Sequence, residues 1–132
     1  MRSVAVKPLA SVLMALAALG APAAAEPVRV FGYGGVLGEW ELTADVAETA
    51  SAHAREFHGT VIMAHVGLCT QDGPEQRKGE IRIEVTGAAS RLKATMLFDG
   101  TACSYAAILS DAYKGTMTCP EQPAMPLTLW VR

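Results

Sequence analysis

Three cysteines, three histidines and a scatter of methionines carry the sulfur and imidazole atoms on which chemistry could be built. In an oxidising compartment three cysteines allow at most one intramolecular disulfide and leave one thiol over. Cys103 and Cys119 bracket the segment "CSYAAILSDAYKGTMTC", symmetric about Asp111, so a three- or five-residue loop there sets them opposite one another on two antiparallel strands. Directly opposed strand residues have Cβ atoms ~4.5–5.5 Å apart, close to what a disulfide needs. This pairing is preferred to the other two. Cys69 opens the polar stretch "GLCTQDGPEQRKGE" of residues 67–80, where Gln71 and Asp72 join it as candidate contact residues. Cys69 could compete for a partner cysteine, bridge two chains into a dimer, or stay a thiol. A three-thiolate metal site would lack the C-x-x-C spacing that usually marks one.

The histidines are His53, His58 and His65. The last two are seven residues apart, so on a regular strand they point to opposite faces and cannot easily share a metal or a substrate. Met63 and His65 share a face, and with Met96 and Met117 they form a donor set that copper would accept. Methionine is far more common as adaptable core filler, and that reading is preferred. The chain holds no G-x-S-x-G, no H-E-x-x-H, no phosphate loop and no C-x-x-C-H. Glu39, Glu41, Asp45, Glu80 and Glu84 alternate with apolar residues, which describes a solvated surface and not an acid–base pair. Asp72 and Glu75 match no calcium loop. The expectation is a protein that is not an enzyme and has no cofactor.

The elements that must position these residues announce themselves by period-two hydrophobicity. Trp40, Leu42, Ala44 and Val46 alternate with Glu39, Glu41, Thr43 and Asp45; Ile81, Ile83 and Val85 alternate with Glu80, Arg82, Glu84 and Thr86; Leu92, Ala94, Met96 and Phe98 alternate with Arg91, Lys93 and Asp99. A sheet with one dry and one wet face requires this pattern. Turn residues punctuate the runs at Gly34–Gly35, Asp72–Gly73–Pro74, Gly87, Asp99–Gly100, Ser110–Asp111 and Pro123–Pro126. Eight strands are predicted, near 28–33, 38–47, 58–67, 79–86, 91–98, 102–110, 114–119 and 126–131. "ETASAHAREF" alone has helical composition and is either a short helix or an extended loop. The fold class is therefore all-β, an antiparallel meander. Closing it into an up-and-down barrel removes exposed edges; a two-sheet sandwich is the alternative. In the barrel the connections gather all three cysteines at one rim.

"GEW" at Gly38 to Trp40 resembles the G-x-W that opens the barrel of lipocalins and related calycins, and the chain also resembles small periplasmic barrel inhibitors of metalloproteases. The resemblance implies that Trp40 closes one end of a barrel, with Arg132 packed over it.

Arg2 and Lys7, the apolar run from Leu9 to Leu19 and the small residues Ala23 to Ala25 read as a secretory signal peptide spanning residues 1–25. The apolar run is short of the ~20 residues that cross a bilayer, so residues 26–132 are expected as one periplasmic or secreted barrel domain without an integral membrane segment. Without Arg2 and Lys7 the 11 basic residues become 9 against 13 acidic ones, a net charge of −4. That balance, with no basic cluster, argues against nucleic acid as a partner. Two functions then compete. One is a binding module acting through rim loops on another exported protein, a protease inhibitor in its most concrete form. The other is a carrier of a small apolar ligand, with Trp40, Met96, Phe98 and Tyr105 lining the interior. Short strands favour a filled interior over a roomy one.

Overall fold

Strong alternation makes every strand two-faced, and the chain buries all the apolar faces at once by rolling into a barrel. The computed structural model describes residues 3–4, 26–49, 54–67, 71 and 73–132. Its strands are β1 (Val28–Gly34), β2 (Trp40–Thr49), β3 (Arg55–His65), β4 (Glu75–Thr86), β5 (Arg91–Phe98), β6 (Thr101–Leu109), β7 (Tyr113–Thr118) and β8 (Met125–Val131). Each pairs antiparallel with its neighbour in sequence, and β1 pairs with β8 to complete a closed barrel. The closing ladder runs from Val30↔Val131 to Gly34↔Leu127 and rules out the sandwich.

Two strands begin earlier than their hydrophobicity suggests. β3 starts at Arg55, in the stretch read as helix or loop, and β4 starts at Glu75, inside the stretch read as polar loop. The cause is common to both. Past the end of the core, inward positions of a strand meet solvent at the rim and no longer need apolar residues, so the alternation fades before the pairing does. His53 and the rest of residues 50–53 lie outside the described residues.

Leu42, Val61, Met96 and Leu129 are wholly buried in the core. Tyr105 joins them and keeps its hydroxyl satisfied: it donates to the Leu127 carbonyl at 2.8 Å, with the Tyr113 carbonyl 3.2 Å away. Burial pushes the Tyr105 phenol well above its ordinary pKa, so it stays protonated and keeps donating. The end of the barrel near Phe57 is closed. Arg55 makes two 2.9 Å hydrogen bonds to the Glu48 carboxylate, holding that carboxyl below its usual range, and stands 5.4 Å from the Phe57 ring centroid. Nearby, the Tyr113 hydroxyl donates to the Ala89 carbonyl at 2.6 Å. On the outer wall His58 and Arg82 flank Glu56, with Arg82 at 2.6 Å and His58 at 3.7 Å.

Tight curvature has a local requirement. At Gly115, in the middle of β7, a Cβ would fall inside the contact distance of the Ala106 carbonyl on β6. Only glycine lets the two backbones come this close.

Candidate functional site

The other end of the barrel, where β1, β3, β5 and β7 finish and β2, β4, β6 and β8 begin, is open. A cavity of about 730 Å³ occupies it. Buried Met63, Phe98 and Met117, half-buried Trp40 and Met125, and Cys103 and Cys119 form its apolar wall. Half-buried Glu39 and exposed Arg77, Asp99, Thr101 and Gln122 supply polar atoms around it. The expectation of a filled interior thus holds for one half of the barrel only. At the open end the core stops short of the rim, and the inward row of β4 passes from buried Ile81 through Gly79 to exposed Arg77.

The wall is stapled where the cysteine symmetry predicted. The β6–β7 ladder runs from Leu109↔Tyr113 to Ser104↔Thr118 around a three-residue turn, Ser110 to Ala112, and one further step pairs Cys103 with Cys119. Their sulfurs are 2.05 Å apart and their Cα atoms 4.3 Å apart, a disulfide across the strand pair. Cys69 and Asp72 lie outside the described residues. Gln71 is exposed in a turn of the β3–β4 connection, which leaves and re-enters the barrel at this same end.

Trp40 begins β2 opposite His65, whose ring centroid is 4.6 Å away, edge to face. The cation over the indole is Arg77, 5.7 Å from the ring. Arg132 cannot take that place, because β8 begins at the open end and finishes at the closed one; it stands over Phe31 instead, at 5.6 Å. Phe98 shares the cavity wall with Trp40, while Met96 and Tyr105 sit in the packed core below it. Met63 and Met117 reach the cavity and Met96 does not, so the four candidate copper donors do not line one space. Among the described residues no three or more of His, Cys, Asp and Glu come together as a metal site.

The β1–β2 turn is built by Glu39. Its carboxylate accepts from the Leu37 N–H at 2.9 Å, and its carbonyl accepts from Val66 at 2.8 Å and Gly67 at 3.2 Å. This holds the tip over the cavity edge with Val36 and Leu37 87% and 90% exposed. On the outer wall Phe31, Tyr33 and Trp130 cluster, with ring centroids 5.5–6.1 Å apart. Sequence reasoning passed over both Arg77 and this aromatic trio. Extending the Ile81–Ile83–Val85 parity back to residue 77 puts Arg77 on the inward row, and the parity of Val30 puts Phe31 and Tyr33 on the outward one. Among the described residues no helix is long and apolar enough to cross a membrane. Set against known proteins, the chain matches no protein-family model, no curated protein and no solved structure.

Proposed function

We propose that the protein is an exported, non-enzymatic binding barrel that holds a small, mostly apolar molecule in its open end. The observation that carries this reading is the cavity: about 730 Å³, walled by aromatic, thioether and disulfide groups with a few polar side chains beside them. Small-molecule sites are commonly concave, mostly apolar and roughly 300–1,000 Å³ in size. The disulfide and the signal-like residues 1–25 support an oxidising compartment outside the cytoplasm. The two tryptophans permit a direct test, since Trp40 lines the cavity and Trp130 belongs to the outer wall. The neutral probe N-phenyl-1-naphthylamine is expected to bind saturably, one molecule per chain. It should quench Trp40 in a Trp130→Phe variant and leave the Trp130 emission of a Trp40→Phe variant unchanged. Absence of saturable binding overturns the reading.

The exposed Val36–Leu37 tip favours a second reading, in which the rim engages another exported protein such as a protease. Apolar side chains this exposed at a loop tip are suited to a pocket on a partner. On this reading the protein inhibits an exported metalloprotease, and Val36→Asp with Leu37→Asp removes the inhibition while leaving the melting temperature unchanged. Equal inhibition by the double variant, or none by the unaltered protein, counts against it.

A further inference from the structure

We propose that the molecule held in the cavity is an amphiphilic anion, its carboxylate gripped by Arg77 and its apolar body lying against Trp40, Met63, Phe98 and Met117. The proposal rests on the cavity being a ligand site and names what that site selects.

Arg77 occupies an unusual place. It pairs with Met63 across the β3–β4 ladder and so belongs to the inward row of β4, whose next members are Gly79, Ile81 and Ile83. Of the described residues lining the cavity it is the sole cation. Its nearest carboxylate, Glu75, stands 3.8 Å away and is itself exposed, beyond hydrogen-bonding distance. Among the described residues the five N–H donors of this guanidinium make no hydrogen bond, and its contacts are that loose ion pair and the face of Trp40. The group is therefore held on an aromatic wall with its planar fork available. A guanidinium fork matches a carboxylate bidentately.

The remaining charges around the cavity sharpen the choice. The Glu39 carboxylate already accepts the Leu37 N–H, and Asp99 sits in the β5–β6 turn. With these two carboxylates in the lining, an anionic head finds its counter-charge, among the described residues, at Arg77 alone. Below, the thioethers of Met63 and Met117 are unbranched and adaptable, suiting an aliphatic chain better than one rigid ring shape. A charge-assisted, bidentate contact is expected to favour the anion over its neutral analogue by about tenfold or more.

The test uses the full chain and three probes of one chain length, dodecanoate, dodecanol and dodecyltrimethylammonium, each displacing N-phenyl-1-naphthylamine at low ionic strength. Dodecanoate is expected to bind at least tenfold more tightly than dodecanol, and the cationic probe most weakly. Arg77→Gln should abolish the preference for dodecanoate, so that dodecanoate and dodecanol bind with similar affinity. Arg77→Lys, which keeps the charge but loses the fork, should fall between. Glu75→Gln, which removes the competing carboxylate, should tighten dodecanoate. Dodecanol binding as well as dodecanoate, a preference that survives Arg77→Gln, or the cationic probe binding best each overturns the anion assignment and leaves the cavity reading standing. Displacement by none of the three overturns the anion assignment alone, and no saturable binding of N-phenyl-1-naphthylamine itself overturns the cavity reading with it. Should Arg77→Gln fail to fold, Arg77→Lys and Glu75→Gln decide the matter by their opposite expected shifts.

Discussion

Replacing Gly115 with alanine is expected to destabilise the barrel by about 3 kcal/mol, against the sign that strand propensity alone would give. Glycine inside a strand is ordinarily worse than alanine by roughly 0.5–1 kcal/mol, so on an open sheet the change would help. Here the new Cβ meets the Ala106 carbonyl of the neighbouring strand, a backbone atom that cannot turn aside. The ladder pairs Gly115 with Ala107 on one side and with Leu127 on the other, so β7 cannot shift without disturbing both seams. Overpacking a tight site typically costs ~1–3 kcal/mol, and a backbone clash in the shortest strand belongs at the upper end. The melting temperature should fall by about 10–20 °C. Thr116→Ala, one residue along on the exposed face, is the control and should shift it little. A Gly115→Ala protein as stable as its parent would show that β6 and β7 do not approach as described.

Exchanging both Cys103 and Cys119 for serine is expected to cost a similar amount, about 3 kcal/mol, the value for closing a loop of this size. Urea unfolding of the double variant measures it. The second consequence is local. Both half-cystines line the cavity, and the disulfide is the last tie between β6 and β7 before the chain turns toward β8. Affinity for an apolar probe should therefore weaken beyond what the drop in global stability explains. Thiol titration of the folded, unaltered protein gives the complementary check, with one reactive thiol expected, that of Cys69. Three would refute the bridge.

Much of this architecture could be read from single side chains. The run Leu92, Ala94, Met96 and Phe98 fixes β5 to the residue because every inward position is apolar, while Arg91, Lys93 and Thr95 face out and only Leu97 breaks the pattern. The symmetry of Cys103 and Cys119 about Asp111 sets the β6–β7 register, since only one loop parity brings the two cysteines together. Closure followed from what edges cost, not from any residue of β1 or β8. The site was harder to see for a physical reason. The cavity lies where the inward rows run out, and polar residues that line it, such as Glu39, Asp99 and Gln122, read in the sequence as ordinary solvated positions. Arg77 was hidden likewise: beside Lys78 it reads as solvated charge, and only the true start of β4 turns it inward.

The ladder between β1 and β8 differs from the others in how far it reaches along the chain. Every other ladder joins consecutive strands, whereas this one brings Val30 to Val131 and ties Arg29 to Arg132 by reciprocal backbone hydrogen bonds of 2.8 and 3.1 Å. Pairing between neighbours forms quickly because little chain entropy is surrendered before contacts compensate for it. The terminal strands must wait until the intervening hairpins have shortened the distance between them. Assembly is thus expected to run hairpin by hairpin and to end in a single zipping event. The same seam holds the two ends of the chain together, so every hairpin of the barrel is enclosed within one loop that this ladder closes.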